Sequence, residues 1–195
     1  MTKPQKLRVL WKAGGDWLVL ALLATSLAAN VVMGVRRALP PPHTFVAGRQ
    51  MARISAEDAN GRRATITWAG GDRPVLLYVF SPACAWCRRN LGNLKALSSQ
   101  ANARYRLVGL STTTTGLADY VRDNDLKFPI YSNGKTGGHD FAVDETPEAA
   151  LVSADGTIKE AWAGAYSGAL QGYVGAKLGV HLPGLIFAKK TPPHL

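Results

Sequence analysis

The sequence predicts an α/β domain in which helices flank a mixed β-sheet, preceded by an N-terminal β-hairpin and by one long apolar helix. Strand-like and helical segments alternate through the middle of the chain, which favours a sheet with helices on both faces. Residues 75–80 (VLLYVF) form a continuous apolar run, typical of a central strand buried on both faces. The last two strand-like segments flank Ala154-Asp155-Gly156, a turn sequence typical of an antiparallel hairpin, so we expect the sheet to be mixed.

The composition is that of a folded domain with an appendage. The chain has 195 residues, of which 47% are apolar and 18% charged. Its net charge is +10, but six of the basic residues flank one apolar segment and no basic stripe is interleaved with aromatic residues. We therefore expect no nucleic-acid partner. The six flanking residues are Lys3, Lys6, Arg8, Lys12, Arg36 and Arg37.

The apolar segment is residues 17–35, nineteen residues without a formal charge. As a helix it would be roughly 28 Å long, close to the thickness of the hydrocarbon core of a membrane. We predict a single transmembrane anchor, with residues 1–16 in the cytoplasm because four basic residues precede the segment. The folded domain would then lie on the extracytoplasmic (periplasmic) side of the cell membrane.

Two other interpretations of this segment stay open. Ser26-Leu27-Ala28 resembles a signal-peptide cleavage site, and cleavage there would release a soluble periplasmic protein. The segment could also be a buried helix of a globular domain. The three successive prolines in residues 36–44 predict a stiff linker, followed by the folded domain at 45–180 and a tail at 181–195.

The remaining elements follow from turn signals and apolar periodicity. Two short strands around Asn60-Gly61 predict the entry hairpin. Thr115 is the expected cap of the second helix of the domain, and turns are expected at Asn133-Gly134 and Gly137-Gly138. The predicted strands are 53–55, 64–68, 75–80, 106–110, 128–131, 149–153 and 158–162, and the predicted helices run from the cysteine pair to about Ser99, from 117 to 123 and from 166 to 178.

The chain has only two cysteines, Cys84 and Cys87, directly after the central strand. A disulfide closing so short a loop stabilises a fold very little, so we expect these sulfurs to matter for chemistry. Cys84 falls at the start of a helix, where free backbone N–H groups and the helix dipole lower the pKa of a thiol. Cys87 lies one turn later on the apolar stripe of that helix, so it is expected to be the more buried sulfur. Arg88 adds positive potential.

Metal and haem chemistry are less well matched by the sequence. A zinc site needs about four ligands, and neither a second cysteine pair nor a histidine spacing supplies them, so we predict no metal site. The usual haem attachment motif needs a histidine directly after the second cysteine, where this chain has Arg88. Binding of Cu(I) by two thiolates, as in a metallochaperone, stays open as an alternative.

Several motifs together resemble the thioredoxin superfamily and, within it, the membrane-anchored TlpA/ResA-like and MauD-like redoxins. The resemblance covers about residues 45–178. The motifs that carry it are the strand 75–80, the run from Ser81 to Arg88 (SPACAWCR), Phe128-Pro129, and Thr146-Pro147 followed by the strand and turn at 149–156.

The resemblance implies a thiol–disulfide oxidoreductase that has no cofactor besides its own redox-active disulfide. Cys84 would be the nucleophile, Cys87 the resolving thiol, and Thr146-Pro147 a loop with a cis proline that faces the pair. The implied partners are proteins with thiols or disulfides, such as apocytochrome c or another metalloenzyme precursor, and a transmembrane electron donor or acceptor.

The chain also departs from the family pattern. Many relatives have Trp before the first cysteine, whereas here Trp86 lies inside the pair. Thioredoxin has a buried Asp at the position of Tyr78, and ResA-like members have a Glu at that of Asn90. The group that moves protons to and from Cys87 is therefore open, with Glu145 and water as the candidates.

A thiol peroxidase is the alternative enzyme. Ser81 lies three residues before Cys84, as a hydroxyl residue does in peroxiredoxins, but Leu77 stands where those enzymes have a proline.

Overall fold

The computed structural model describes residues 5–38, 44–100 and 104–186. The chain divides into two compact units, Met1–Pro42 and His43–Leu195. The first unit contains one 34-residue helix, α1 (Gln5–Ala38), and every described side chain between positions 17 and 33 on it is exposed. The predicted helix is thus confirmed. In the part of the chain that the structure describes, no helix has the length and apolarity needed to cross a membrane.

The second unit is built on a mixed sheet with the strand order β2-β1-β5-β4-β3-β7-β8, and β6 pairs with β5. β3, β4 and β5 are parallel, whereas the other pairs are antiparallel, as the alternation and the terminal hairpin predict. The entry hairpin is confirmed as β1–β2. The strands are β1 (Ile54–Glu57), β2 (Arg63–Ile66), β3 (Val75–Phe80), β4 (Arg106–Ser111), β5 (Ile130–Thr136), β6 (His139–Asp140), β7 (Glu148–Val152) and β8 (Ile158–Ala163).

The helices of this unit cover one face of the sheet, so the expectation of helices on both faces is wrong. They are α2 (Ala85–Arg89), α3 (Leu91–Gln100), α4 (Leu117–Asp123) and α5 (Gly168–Leu178). Every buried hydrophobic side chain on them belongs to a single core cluster. The crossovers β3-to-β4 and β4-to-β5 step in the same direction along the sheet, and right-handed crossovers then place both connections on the same face.

The opposite face is covered by strand and loop residues. Its core cluster contains Phe45 and Trp68 together with Ile54 and Ile66 of the entry hairpin. These side chains pack on the alternate residues of β3, such as Leu77, whose neighbours point to the helical face. The central strand is therefore buried on both faces, as predicted.

Three local predictions need correction. The helix after the cysteine pair is interrupted at Asn90, whose backbone N–H bonds back to the carbonyls of Trp86 and Cys87. The N-cap of α4 is Gly116 at a φ of 69°, not Thr115. Strand β5 begins at Ile130 and runs through the predicted turn at 133–134, where Asn133 adopts a φ of 52° beside a register shift between β1 and β5. Asparagine tolerates positive φ, so the sequence forms a bulge there and the chain turns only at residues 137–138.

Candidate active site

The first sulfur lies at the junction of the central strand and α2. Cys84 is the N-cap of α2, with extended dihedral angles, and its Sγ accepts a hydrogen bond from the backbone N–H of Cys87 at 3.1 Å. A side-chain acceptor at this position satisfies a helix N–H group that has no partner within the helix. The sulfur is therefore held where a negative charge is stabilised.

The pKa values of the two thiols are shifted in opposite directions. Partial burial raises the pKa of Cys84, but hydrogen bonds from the Cys87 thiol, from Thr146 and from the backbone outweigh it, so the net shift is downward. Burial raises the pKa of the Cys87 thiol to about 12, and its hydrogen bond to Cys84 contributes to that rise. Cys87 is fully buried, whereas Cys84 is partly accessible. Cys84 is thus suited to attack an external disulfide, and Cys87 to react only afterwards.

The loop before β7 lies against the first sulfur. The Thr146–Pro147 peptide bond is cis, as the resemblance implies. The Sγ of Cys84 lies 3.3 Å from the carbonyl oxygen of Thr146, to which its thiol form donates a hydrogen bond. The structure therefore brings Cys84, Cys87, Thr146 and Pro147 together at one end of the sheet.

The other candidate residues lie around this centre. Trp86 is half exposed, and the guanidinium of Arg89 lies 4.8 Å from the centroid of its ring. The guanidinium of Arg88 donates hydrogen bonds to the carbonyls of Pro82 and Ala83, so it holds the loop that leads into the cysteine pair. Glu145 is exposed on the loop that precedes the cis proline.

Beneath the pair lies a buried polar network that the sequence reasoning missed. The side-chain amide of Asn90 donates to the Tyr78 hydroxyl at 3.0 Å, and its carbonyl oxygen accepts from the amide of Asn93 at 2.8 Å and from the backbone N–H of Tyr166 at 3.0 Å. Burial raises the pKa of Tyr78 well above its usual value. Tyr78 and Asn90, the two positions at which the resemblance leads us to expect an acid, are thus bonded to each other, and the network is neutral.

A buried acid lies on the other side of the sheet, and sequence reasoning missed it as well. Glu148 is 1% exposed, follows Pro147 directly, and accepts a hydrogen bond from the backbone N–H of Phe45 at 3.1 Å. It pairs with Val79, whose side chain belongs to the cluster opposite the helices, so Glu148 and Cys87 lie on different faces. The sequence does contain a signal for this buried acid, because Glu148 directly precedes the predicted strand 149–153. The observed strand begins at Glu148, one residue earlier than predicted, and this places the glutamate inside the sheet.

Within the described ranges, no three His, Cys, Asp or Glu side chains come together in a group that could hold a metal ion.

Comparison with known proteins identifies the fold. No family model and no curated protein matches the chain. A protein assigned as thiol:disulfide interchange protein DsbE from Chlorobium tepidum superposes with a TM-score of 0.54 at 16% identity, over 70% of this chain and 100% of that one. The thioredoxin domain of thiol-disulfide oxidoreductase BVU-2223 from Bacteroides vulgatus gives 0.50 at 16% identity, over 69% and 99%.

Peroxidoxin BcpB from Mycobacterium tuberculosis is similar to the same extent, with a TM-score of 0.53 at 16% identity over 68% of this chain and 94% of that one. Identities this low establish a shared fold and not a shared activity. The predicted resemblance is therefore confirmed at the level of the fold: the chain has a thioredoxin-like fold.

Proposed function

We propose that this protein is a thiol–disulfide oxidoreductase that exchanges disulfides with protein substrates through Cys84 and Cys87. The observation that carries the proposal is the arrangement of the two sulfurs. Cys84 has a lowered pKa, caps a helix and is partly accessible beside the Thr146–Pro147 loop, while Cys87 is buried one turn away.

The reaction balances in two exchange steps. The Cys84 thiolate attacks one sulfur of a substrate disulfide, which breaks that bond, releases one substrate thiolate and leaves a mixed disulfide. Cys87 then loses its proton, attacks Cys84 Sγ and releases the second substrate thiolate. The substrate gains two electrons and the cysteine pair loses two, so an external dithiol must reduce the pair again before the next turnover.

The partners we propose are of two kinds. The substrates are proteins, supported by the exposed ring of Trp86 beside Cys84, which offers apolar contact area to a polypeptide. By analogy with the family, we include precursors of cytochrome c or of another metalloenzyme as candidates. The second partner is a transmembrane protein that donates two electrons to the cysteine pair through a dithiol, or accepts them from it through a disulfide.

A redox titration tests the proposed function. The protein is equilibrated with glutathione buffers of increasing redox potential. We expect the cysteine pair to change from dithiol to disulfide in a single two-electron transition, in which the ratio of disulfide to dithiol changes tenfold for about every 30 mV. The fraction oxidised is measured by mass after the free thiols are alkylated. A Cys84→Ala variant is the control and forms no internal disulfide. If the wild-type pair stays reduced at every potential, the proposal is wrong.

A thiol peroxidase is the second candidate, favoured by the likeness to a peroxidoxin and by Ser81. The Ser81 hydroxyl oxygen accepts a hydrogen bond from the backbone N–H of Ala83 at 3.3 Å, so it takes part in shaping the loop before Cys84. Stoichiometric consumption of hydrogen peroxide by the reduced protein would favour this candidate over disulfide exchange.

We further propose that residues 17–35 tether the protein to the cell membrane, with the second unit on the extracytoplasmic side. The support is the nineteen-residue run without a formal charge, together with the exposure of each described apolar side chain on this part of α1. Exposed apolar surface of this kind favours a lipid environment.

The tether predicts that the full chain stays in the membrane fraction after extraction with alkaline carbonate. Leu27→Lys is expected to lower that fraction, because a cation near the centre of a membrane helix costs about 3 kcal/mol. Leu27→Val, which keeps the position apolar, is the matched control. Recovery of a soluble product that begins near Ala29 would show that the segment is a cleaved signal peptide.

A further inference from the structure

The segment that precedes the entry hairpin is hydrogen-bonded to the loop 141–147, which joins β6 to β7. The side-chain oxygen of Thr44 accepts a hydrogen bond from the backbone N–H of Asp144 at 3.0 Å. The next residue, Phe45, donates its backbone N–H to the carboxyl group of Glu148 at 3.1 Å. The two bonds join residues 100 and 103 positions apart in the chain, and they fall on either side of the cis peptide bond.

This segment is itself fixed to the folded unit. Phe45 is 3% exposed, and its ring stacks on that of Phe141, with the two centroids 6.1 Å apart and an angle of 25° between the planes. Further along, the backbone N–H of Gly48 donates to the carbonyl of Ile158 at 2.8 Å, and the N–H of Ile158 donates to the carbonyl of Arg49 at 2.9 Å. The segment is therefore anchored in the core and on β8, so it can support the loop.

The loop that the segment supports borders the accessible sulfur. The carbonyl oxygen of Thr146 lies 3.3 Å from Cys84 Sγ, and Asp144 is two residues before Thr146. After the cis bond, the carbonyl oxygen of Pro147 accepts a hydrogen bond from the backbone N–H of Gly164 at 2.7 Å, which fixes the loop where it enters β7. The bond at Asp144 therefore holds the middle of the loop, on the side of the cis bond that lies farther from β7 in the chain.

We propose that Thr44 is a positioning residue, which holds the loop 141–147 beside Cys84 and thereby speeds the reaction of Cys84 with a polypeptide disulfide. This inference rests on the proposed function. The residues of a polypeptide that flank the attacked sulfur must lie beside the loop, because the loop borders that side of Cys84. A small disulfide reaches the sulfur without lying along the loop.

The step affected is the first exchange. The Cys84 thiolate bonds to one substrate sulfur, the bond between the two substrate sulfurs breaks, and the other sulfur leaves as a thiolate. A loop that is already held in place loses less conformational freedom when a polypeptide binds beside it, so less of the binding free energy is spent on ordering the loop. The hydrogen bond to Thr44 is therefore expected to favour polypeptide disulfides over small ones.

Thr44→Val tests the proposal, because it keeps the branched shape of the side chain and removes the oxygen that accepts from Asp144. The reduced full-length protein is mixed with insulin or with 5,5′-dithiobis(2-nitrobenzoic acid), and the loss of free thiols with time gives a second-order rate constant for each disulfide. We expect the rate constant for insulin to fall about fivefold, the factor to which the net contribution of one hydrogen bond corresponds. The rate constant for the small disulfide is expected to stay at its wild-type value.

Two further variants at the same position make the assignment specific. Thr44→Ser keeps the hydroxyl acceptor and is expected to react with insulin as the wild type does, whereas Thr44→Ala lacks the acceptor and is expected to be as slow as Thr44→Val. If Thr44→Ala reacts normally and Thr44→Val does not, the effect is one of bulk and the inference is wrong. If Thr44→Val slows both disulfides equally, the change lies in Cys84 or in folding and the inference is also wrong.

The same rate constants separate this inference from the proposed function. A wild-type protein that does not reduce insulin would overturn the proposed exchange with protein substrates. Normal reduction of insulin by both the wild type and Thr44→Val would overturn only the role of Thr44.

Discussion

Replacing Cys84 with serine is expected to reduce disulfide exchange by this protein to the uncatalysed rate. The Cys84 sulfur forms the first bond to the substrate, and a serine hydroxyl does not ionise near neutral pH, so no mixed disulfide can form. Serine is a favourable N-cap residue, so the start of α2 is expected to keep its structure. The loss of activity would then reflect chemistry and not unfolding.

Cys87→Ser is the matched variant, because it keeps the nucleophile and removes the step that releases the product. We expect it to accumulate mixed disulfides with protein partners, seen as bands on a non-reducing gel that dithiothreitol removes. Insulin reduction followed by turbidity measures turnover in both variants, and the double variant should give neither activity nor bands. Wild-type turnover by Cys84→Ser would rule out the mechanism.

The central features of the site could be predicted because their signals are local. The apolar run of β3 followed by a helix places Cys84 at the junction of a strand and a helix, and the fold and the N-cap of α2 agree with that expectation. The cis bond at Thr146–Pro147 has no such local signal. Most X–Pro bonds are trans, so only the family resemblance implies the cis form.

What the sequence reasoning missed depends on contacts between distant residues. Helices cover one face because β5 lies beside β4, and no local pattern in the chain encodes that strand order. The preference of Asn133 for positive φ predicts a turn. Pairing of β5 with both β1 and β4 keeps the chain extended, so the same preference produces a bulge. The conformational preference of Asn133 is therefore predicted correctly, but strand pairing decides that it produces a bulge and not a turn.

The polar network under the cysteine pair shows the same limit. Tyr78 and Asn90 each stand where the family resemblance implies an acid, and nothing in their spacing indicates that they touch. They meet because α2 packs on β3, which brings the Asn90 amide to 3.0 Å from the Tyr78 hydroxyl. Two separate departures from the expected pattern thus become one neutral hydrogen-bonded pair.

Asn90→Ala is expected to lower the free energy of unfolding by about 2 to 4 kcal/mol. The side chain is fully buried, and its loss leaves the backbone N–H of Tyr166 without its acceptor and the Tyr78 hydroxyl without its donor. Each buried polar group that loses its partner costs about 1 to 3 kcal/mol. Asn93 retains the carbonyl of Tyr166 as an acceptor for its amide, so it adds less to the loss.

Chemical denaturation measures this loss, as a lower midpoint at an unchanged slope, because the surface exposed on unfolding stays the same. Asn60→Ala is the control, since Asn60 is exposed in the turn of the entry hairpin and its substitution is expected to change stability by no more than about 0.5 kcal/mol. A similar small effect for Asn90→Ala would mean that water replaces the lost partners. The network would then be hydrated, and solvent could reach Cys87 directly to stabilise its charge.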